Sequence, residues 1–156
     1  LYGVSPIDNS IINNVSTLKT TILQIRDVPA EDTVGYSRKG HLTRASRIAA
    51  IPIGYADGLN RHLGCGHAYC MVNGKKAPYV GNICMDVCMI DVTDIDCEVT
   101  DEVILFGSDG NLTVSAEEIG ENSMSFNYEV ICGVSRRIPR VYIKDGKIIK
   151  TVNYLR

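Results

Sequence analysis

Asn73-Gly74 divides two short apolar runs, Tyr69 to Val72 and Lys76 to Val80, and this arrangement constrains the fold more than any other feature. Asn-Gly accepts the positive φ required at both central positions of a type I′ turn, whose twist matches that of the strands it joins. The two runs therefore predict a β-hairpin. Val141 to Ile143 and Ile148 to Val152, set about Asp145-Gly146, predict a second by the same logic. Ile48 to Tyr55 is an apolar run ended by the turn signal Ala56-Asp57-Gly58, Ile83 to Val92 reads as a long strand, and Val103 to Phe106 as another. Helix is scarce. Ser115-Ala116-Glu117-Glu118 has the form of a capping box, so a short helix starts there, and Met124 to Val134 has room for a second. Ile11 to Leu23, rich in Thr and Val, reads as extended, and Ser5 to Ser10 is the one linker candidate. Many short strands without alternating long helices predict a mainly β domain, an antiparallel barrel or sandwich.

Composition narrows the function classes. A net charge of −2 lacks the basic stripe of a nucleic-acid binder. No apolar run approaches the roughly 20 residues needed to cross a bilayer, and no basic-then-apolar leader is visible. The start at Leu1-Tyr2-Gly3, without Met, suggests a piece of a longer chain. Six cysteines (Cys65, Cys70, Cys84, Cys88, Cys97, Cys132) invite disulfide or metal readings. The cluster His62, Cys65, His67, Cys70 has the flavour of a zinc knuckle but lacks a matching Cys-x-x-Cys pair. Cys84 and Cys88 in an extended strand would stand about 13 Å apart, too far to share one ion. The cysteines are read as reduced and structural, and no metal is expected.

Three stretches have the makings of a site. Val34-Gly35-Tyr36-Ser37 sets a tyrosine before the basic pair Arg38-Lys39. Tyrosine carries protons when cationic neighbours bring its pKa down from about 10, although a half-buried structural tyrosine would look the same. Ile51 to Gly58 ends a strand in two glycines and an acid, a pattern that brings backbone close to a ligand or simply makes a turn. In Gly81-Asn82-Ile83-Cys84-Met85-Asp86 the informative residue is Asp86, inside an otherwise apolar run, because a buried carboxylate needs a partner, a backbone amide or an arginine.

In order along the chain, Leu1-Tyr2-Gly3-Val4-Ser5-Pro6, Val34-Gly35-Tyr36, Ile51 to Gly58, Asn73-Gly74-Lys75-Lys76-Ala77-Pro78, Gly81 to Asp86, Asn127-Tyr128-Glu129 and Arg137-Ile138-Pro139-Arg140 resemble the alanine racemases. The resemblance covers nearly the whole chain. It implies a Greek-key-like antiparallel barrel with one or two short helices, the C-terminal domain of a fold-type III enzyme dependent on pyridoxal 5′-phosphate. Residues 1–8 would end an N-terminal α/β barrel and residues 9–156 form the β domain. The lysine that carries the cofactor would belong to that barrel, outside this chain.

By the same resemblance the family racemises an amino acid with two bases on opposite faces, the lysine and a tyrosine, and Tyr36 matches the tyrosine. Met85 matches the position whose backbone binds the substrate carboxylate. Tyr55, Asn82, Cys84 and Asp86 line the site near its entrance, and Tyr128 matches the tyrosine bonded to the cofactor phosphate. The partners implied are the chain's own barrel, a small amino acid and a second subunit. In the homodimer Tyr36 and Met85 would act in the partner's site and Tyr128 in its own, so this domain alone would be inactive. The products would be D-amino acids for peptidoglycan, made in the cytoplasm. One departure stands out: Asn82 replaces the usual arginine. The shorter amide opens volume and resembles the membrane-anchored serine/alanine racemases of vancomycin-resistant bacteria, which implies serine as a substrate. Two rivals are a non-catalytic barrel module for dimerisation or binding, and the related decarboxylases, whose sequence blocks and catalytic cysteine do not suit this chain.

Overall fold

Between residues 18 and 28 the chain is extended almost without a break, and this one segment serves both edges of the main sheet. The structure, a computed structural model, describes residues 15–155. The first half of the segment is β1 (Leu18–Thr21) and the second is β2 (Gln24–Val28). A two-stranded ribbon follows, β3 (Thr33–Val34) and β4 (Gly40–His41), then β5 (Ser46–Ile51), β6 (Tyr69–Val72), β7 (Lys75–Val80) and β8 (Cys88–Asp91). The chain continues through β9 (Glu102–Asp109), β10 (Leu112–Val114), α1 (Ala116–Asn122) and α2 (Asn127–Gly133). A separate hairpin, β11 (Arg140–Lys144) and β12 (Lys147–Val152), completes it.

Across the main sheet the order is β1-β9-β6-β7-β8-β5-β2, with β10 also on β9, and every pairing is antiparallel. β6, β7 and β8 lie side by side in sequence order and β9 returns beside β6, which is the Greek-key order. At the far ends, Leu18 faces Phe106 on β9 while Gln24 faces Ala50 on β5. The hand-over falls between two residues. Ile22 N–H donates to Asp101 O at 3.0 Å and Leu23 N–H to Ala50 O at 2.9 Å. Because consecutive parts of one strand form both ends of the row, the sheet curls back on itself as a barrel. Ile22, Ile51, Met71, Ile90, Val92, Val103 and Leu105 fill its interior.

The Asn73-Gly74 hairpin forms as read, with φ of 47° and 72° at the two turn residues. The second hairpin forms about Asp145-Gly146. Ser115 caps α1 by accepting from Glu118 N–H at 3.0 Å, and α2 lies inside the Met124 to Val134 window. One expectation fails. Ile83 to Val92 is not one long strand, because only Cys88–Asp91 joins the ladder. Ahead of it the chain turns, with Cys84 N–H bonded to Val87 O at 3.0 Å, so Cys84 and Cys88 do not sit at extended spacing. The apolar run hid this turn, since its carbonyls are satisfied by a different loop rather than by a strand. The run from Ile48 likewise leaves the sheet after Ile51.

All six cysteines are free, four of them buried. Among the described residues no helix is long and apolar enough to cross a membrane. The opening Leu1 to Pro6, the boundary at residue 8, the linker candidate and the start of the Ile11 to Leu23 reading lie outside the described residues.

Candidate active-site face

Two loops that leave the barrel, 52–58 and 82–87, meet backbone to backbone. Tyr55 N–H donates to Cys84 O and Ala56 N–H to Met85 O, both at 3.0 Å. A Cβ on Gly54 would lie 2.3 Å from Cys84 O and 2.4 Å from Met85 O, so this approach requires glycine. Asp57 closes the turn, accepting from Gly54 N–H at 2.9 Å through Oδ2. Its other oxygen, Oδ1, lies 2.8 Å from Arg137 Nε. Asp57 is 6% exposed, so this carboxylate is answered from both sides. Arg137 then reaches on to Asp86, Nη2 to Oδ1 at 2.5 Å. The two carboxylates, Asp86 foremost, push the Arg137 pKa further up and fix its charge. One guanidinium thus bridges both loops. Arg140 anchors the segment that carries Arg137, donating to Val134, Ser135 and Ile138 carbonyls at 2.6–2.8 Å.

Tyr36 lies on the ribbon loop between β3 and β4, in a single 3-10 turn, Tyr36–Arg38. It is 73% exposed. Asn82 Nδ2 donates to the Tyr36 carbonyl at 3.1 Å, and the Cys84 thiol donates to the Asn82 carbonyl at 3.6 Å. Arg38 Nε is turned back to Thr33 Oγ1 at 3.0 Å. The residues picked from the sequence therefore form a linked set, Tyr36 to Asn82 to Cys84 and Met85, then Tyr55, with Asp86 tied in through Arg137.

Tyr128 stands apart from that set, on the first turn of α2, with its ring edge-on to Phe126 at 6.2 Å. α2 ends at Gly133, where the next residues return to the site: Ser135 N–H donates to Asp57 O at 3.0 Å. Tyr128 is five residues back, about 8 Å along the helix at 1.5 Å per residue. Between α2 and the 55–63 segment lies a cavity of about 480 Å³, lined by Tyr55, Leu59, Arg61, Glu129, Val130 and Val134 among others. Tyr36, Tyr55, Met85 and Tyr128 are all large and at least 43% exposed.

Two residues of this face carried no role in the sequence reading. Arg61 places its guanidinium carbon 6.0 Å from the Tyr55 ring centroid. Its charge also opposes the burial that pushes the Cys84 thiol up. Arg137 stood inside the Arg-Ile-Pro-Arg block, and the one signal for it was that Asp86 required a partner.

The family model described as alanine racemase, C-terminal domain, matches residues 15–142. The chain belongs to this family. The chain is 45% identical to the alanine racemase of Clostridium novyi, matching 99% of this chain and 42% of that protein. The chain thus spans about two fifths of the length of the relatives it matches. Among solved structures, the alanine racemase of Bacillus anthracis with bound L-Ala-P has a TM-score of 0.89 at 34% identity, over 99% of this chain and 41% of that one. An alanine racemase of Clostridium difficile in complex with cycloserine gives 0.87 at 36% identity, covering 99% and 41%. The chain keeps the Greek-key barrel and two short helices expected of it.

Proposed function

We propose that this racemase domain is the β part of a pyridoxal-phosphate-dependent enzyme that interconverts L- and D-alanine. The observation that carries the reading is the exposed phenol of Tyr36, hydrogen-bonded through its own backbone into the loop that presents Met85. Such a phenol has no core to fill. It suits a face completed by another domain.

The residues present fit the cofactor in a shared role. Tyr128, 54% exposed on the first turn of α2, can donate its hydroxyl hydrogen to a phosphate oxygen. When bound, pyridoxal phosphate supplies an electron sink that makes the substrate Cα–H acidic. Tyr36 then takes or returns the α-proton at its Oη on one face, and a lysine in the N-terminal barrel does so on the other. Inversion of one carbon requires this, since the proton must leave one side and re-enter from the opposite one. The Met85 backbone holds the substrate carboxylate, its loop fixed because Ala56 already occupies the Met85 carbonyl. Tyr55 and Asp86 border the approach. The domains are an N-terminal barrel ending near residue 8 and the β domain from residue 9. The assembly is a homodimer in which Tyr36 and Met85 serve the partner's site, with D-alanine used in the cytoplasm for peptidoglycan.

Tyr36→Phe in the full-length enzyme tests the assignment. Racemisation in both directions is expected to fall by about 10²–10⁴, and a normal rate would remove Tyr36 from the chemistry. The rival of a non-catalytic module would leave Tyr36 and Met85 without a task.

Asn82 favours serine as a second substrate, because a short amide replaces a long cation beside the site. Turnover of L-serine against L-alanine, compared between the parent enzyme and Asn82→Arg, decides it. Serine turnover is expected to fall selectively in the variant, and an unchanged preference would sink the idea.

A further inference from the structure

We infer that Asn82 is a positioning residue for Tyr36, and that its carboxamide acts on the reaction by holding the tyrosine's main chain rather than by touching substrate. The inference rests on the reading of Tyr36 as a proton-handling residue.

The bond at issue runs from Asn82 Nδ2 to Tyr36 O at 3.1 Å. The sense of the amide is fixed chemically. A reversed amide would set its oxygen against the Tyr36 carbonyl, acceptor against acceptor, so Nδ2 faces Tyr36 and Oδ1 is left to accept from the Cys65 thiol at 3.8 Å. The carboxamide is therefore engaged at both ends. One of its N–H groups is committed to the Tyr36 main chain.

The loop it holds needs holding. Ser37 and Arg38, neither of them glycine, both have positive φ, 57° and 53°, a conformation that persists only where surroundings impose it. The loop rests on Gly81, whose φ is +67° and whose missing Cβ would lie 2.6 Å from Val34 O. The Asn82 side chain is the next contact along this seat, and the Asn82 carbonyl accepts from the Cys84 thiol at 3.6 Å. Asn82 thus couples the position of Tyr36 to the loop that presents Met85. A proton-transfer distance between two loops is what such a coupling would govern.

The test uses the full-length holoenzyme with Asn82→Asp, which keeps the size and loses the donor, and Asn82→Leu as a second variant. Rates are measured for alanine and serine, and the primary isotope effect for α-deuterated L- and D-alanine. Loss of the donor is expected to lower kcat by about tenfold, by the same factor for alanine and serine, with little change in KM. The isotope effect is expected to rise only in the direction in which Tyr36 removes the α-proton. A purely structural defect would slow both directions without that asymmetry, and this result overturns the inference. So do unchanged kinetics in Asn82→Asp. If Asn82→Leu does not fold, Asn82→Asp decides alone. Tyr36→Phe run in parallel separates the two readings: a normal rate there rejects Tyr36 as a base, whereas an inactive Tyr36→Phe beside normal Asn82 variants rejects only the role of Asn82.

Discussion

Asp57 and Asp86 are 29 residues apart in sequence, yet a single side chain answers both. Removing that side chain leaves a buried carboxylate with only the Gly54 amide as partner. Arg137→Leu is expected to destabilise the protein by about 2 kcal/mol, the figure held down because Arg137 is itself partly exposed. Arg137→Lys should recover less than half of this, since an ammonium cannot fork to two carboxylates as a guanidinium does. Denaturant midpoints of the two variants check both statements, and full recovery by lysine would show that charge alone matters. At this scale the sequence was half legible. Asp86 was read as a buried carboxylate in need of a partner, with an arginine as one of two candidates; it has the arginine but is exposed, and the buried carboxylate is Asp57. Which arginine was hidden, because the pairing spans 51 positions and no local pattern records it.

Among the elements, the hairpins were readable and the site loops were not. Asn73-Gly74 declares its own geometry through two residues, with no help from the rest of the fold. The 83–92 run declared a strand through its apolar content, yet residues 84 and 85 spend their carbonyls on Tyr55 and Ala56. A tertiary contact there outweighs local pattern, and Gly54 makes that contact possible. Gly54→Ala is expected to cost about 2–3 kcal/mol through overpacking and to lower racemase activity in the full-length enzyme. Gly74→Ala, with open space around its Cβ position, should cost only about 1 kcal/mol, from its positive φ. Equal losses in a denaturation series would mean that the Gly54 contact is not tight. The short strands β2, β3, β4 and β10 also escaped the reading, being polar or only two or three residues long in most cases.

For the molecule as a whole, the core carries a pH limit. Burial pushes the thiols of Cys70 and Cys88 and the phenol of Tyr79 well above their usual ranges; Cys70 adds to the shift of Cys88, and both thiols add to that of Tyr79. In the unfolded chain a thiol ionises near pH 9, while in the folded barrel it stays neutral. The unfolded state therefore binds fewer protons above that pH, and stability present at neutral pH is lost as pH rises. The unfolding free energy from denaturant titration is expected to fall between pH 8 and pH 10, by up to about 1.4 kcal/mol per pH unit for each thiol. In a Cys70→Ala/Cys88→Ala protein the fall should be shallower, and an identical slope would acquit the thiols.

The barrel also sets a schedule. β1 and β2 come before every other strand in the main sheet, but β1 pairs with residues 102–106 and β2 with residues 46–50. On a ribosome, the segment can lean on β5 early and must wait some fifty residues more for β9. Closing so long a loop is entropically slow. The strand made first thus waits for nearly the whole row before it can pair, and until then the nascent barrel is an open sheet.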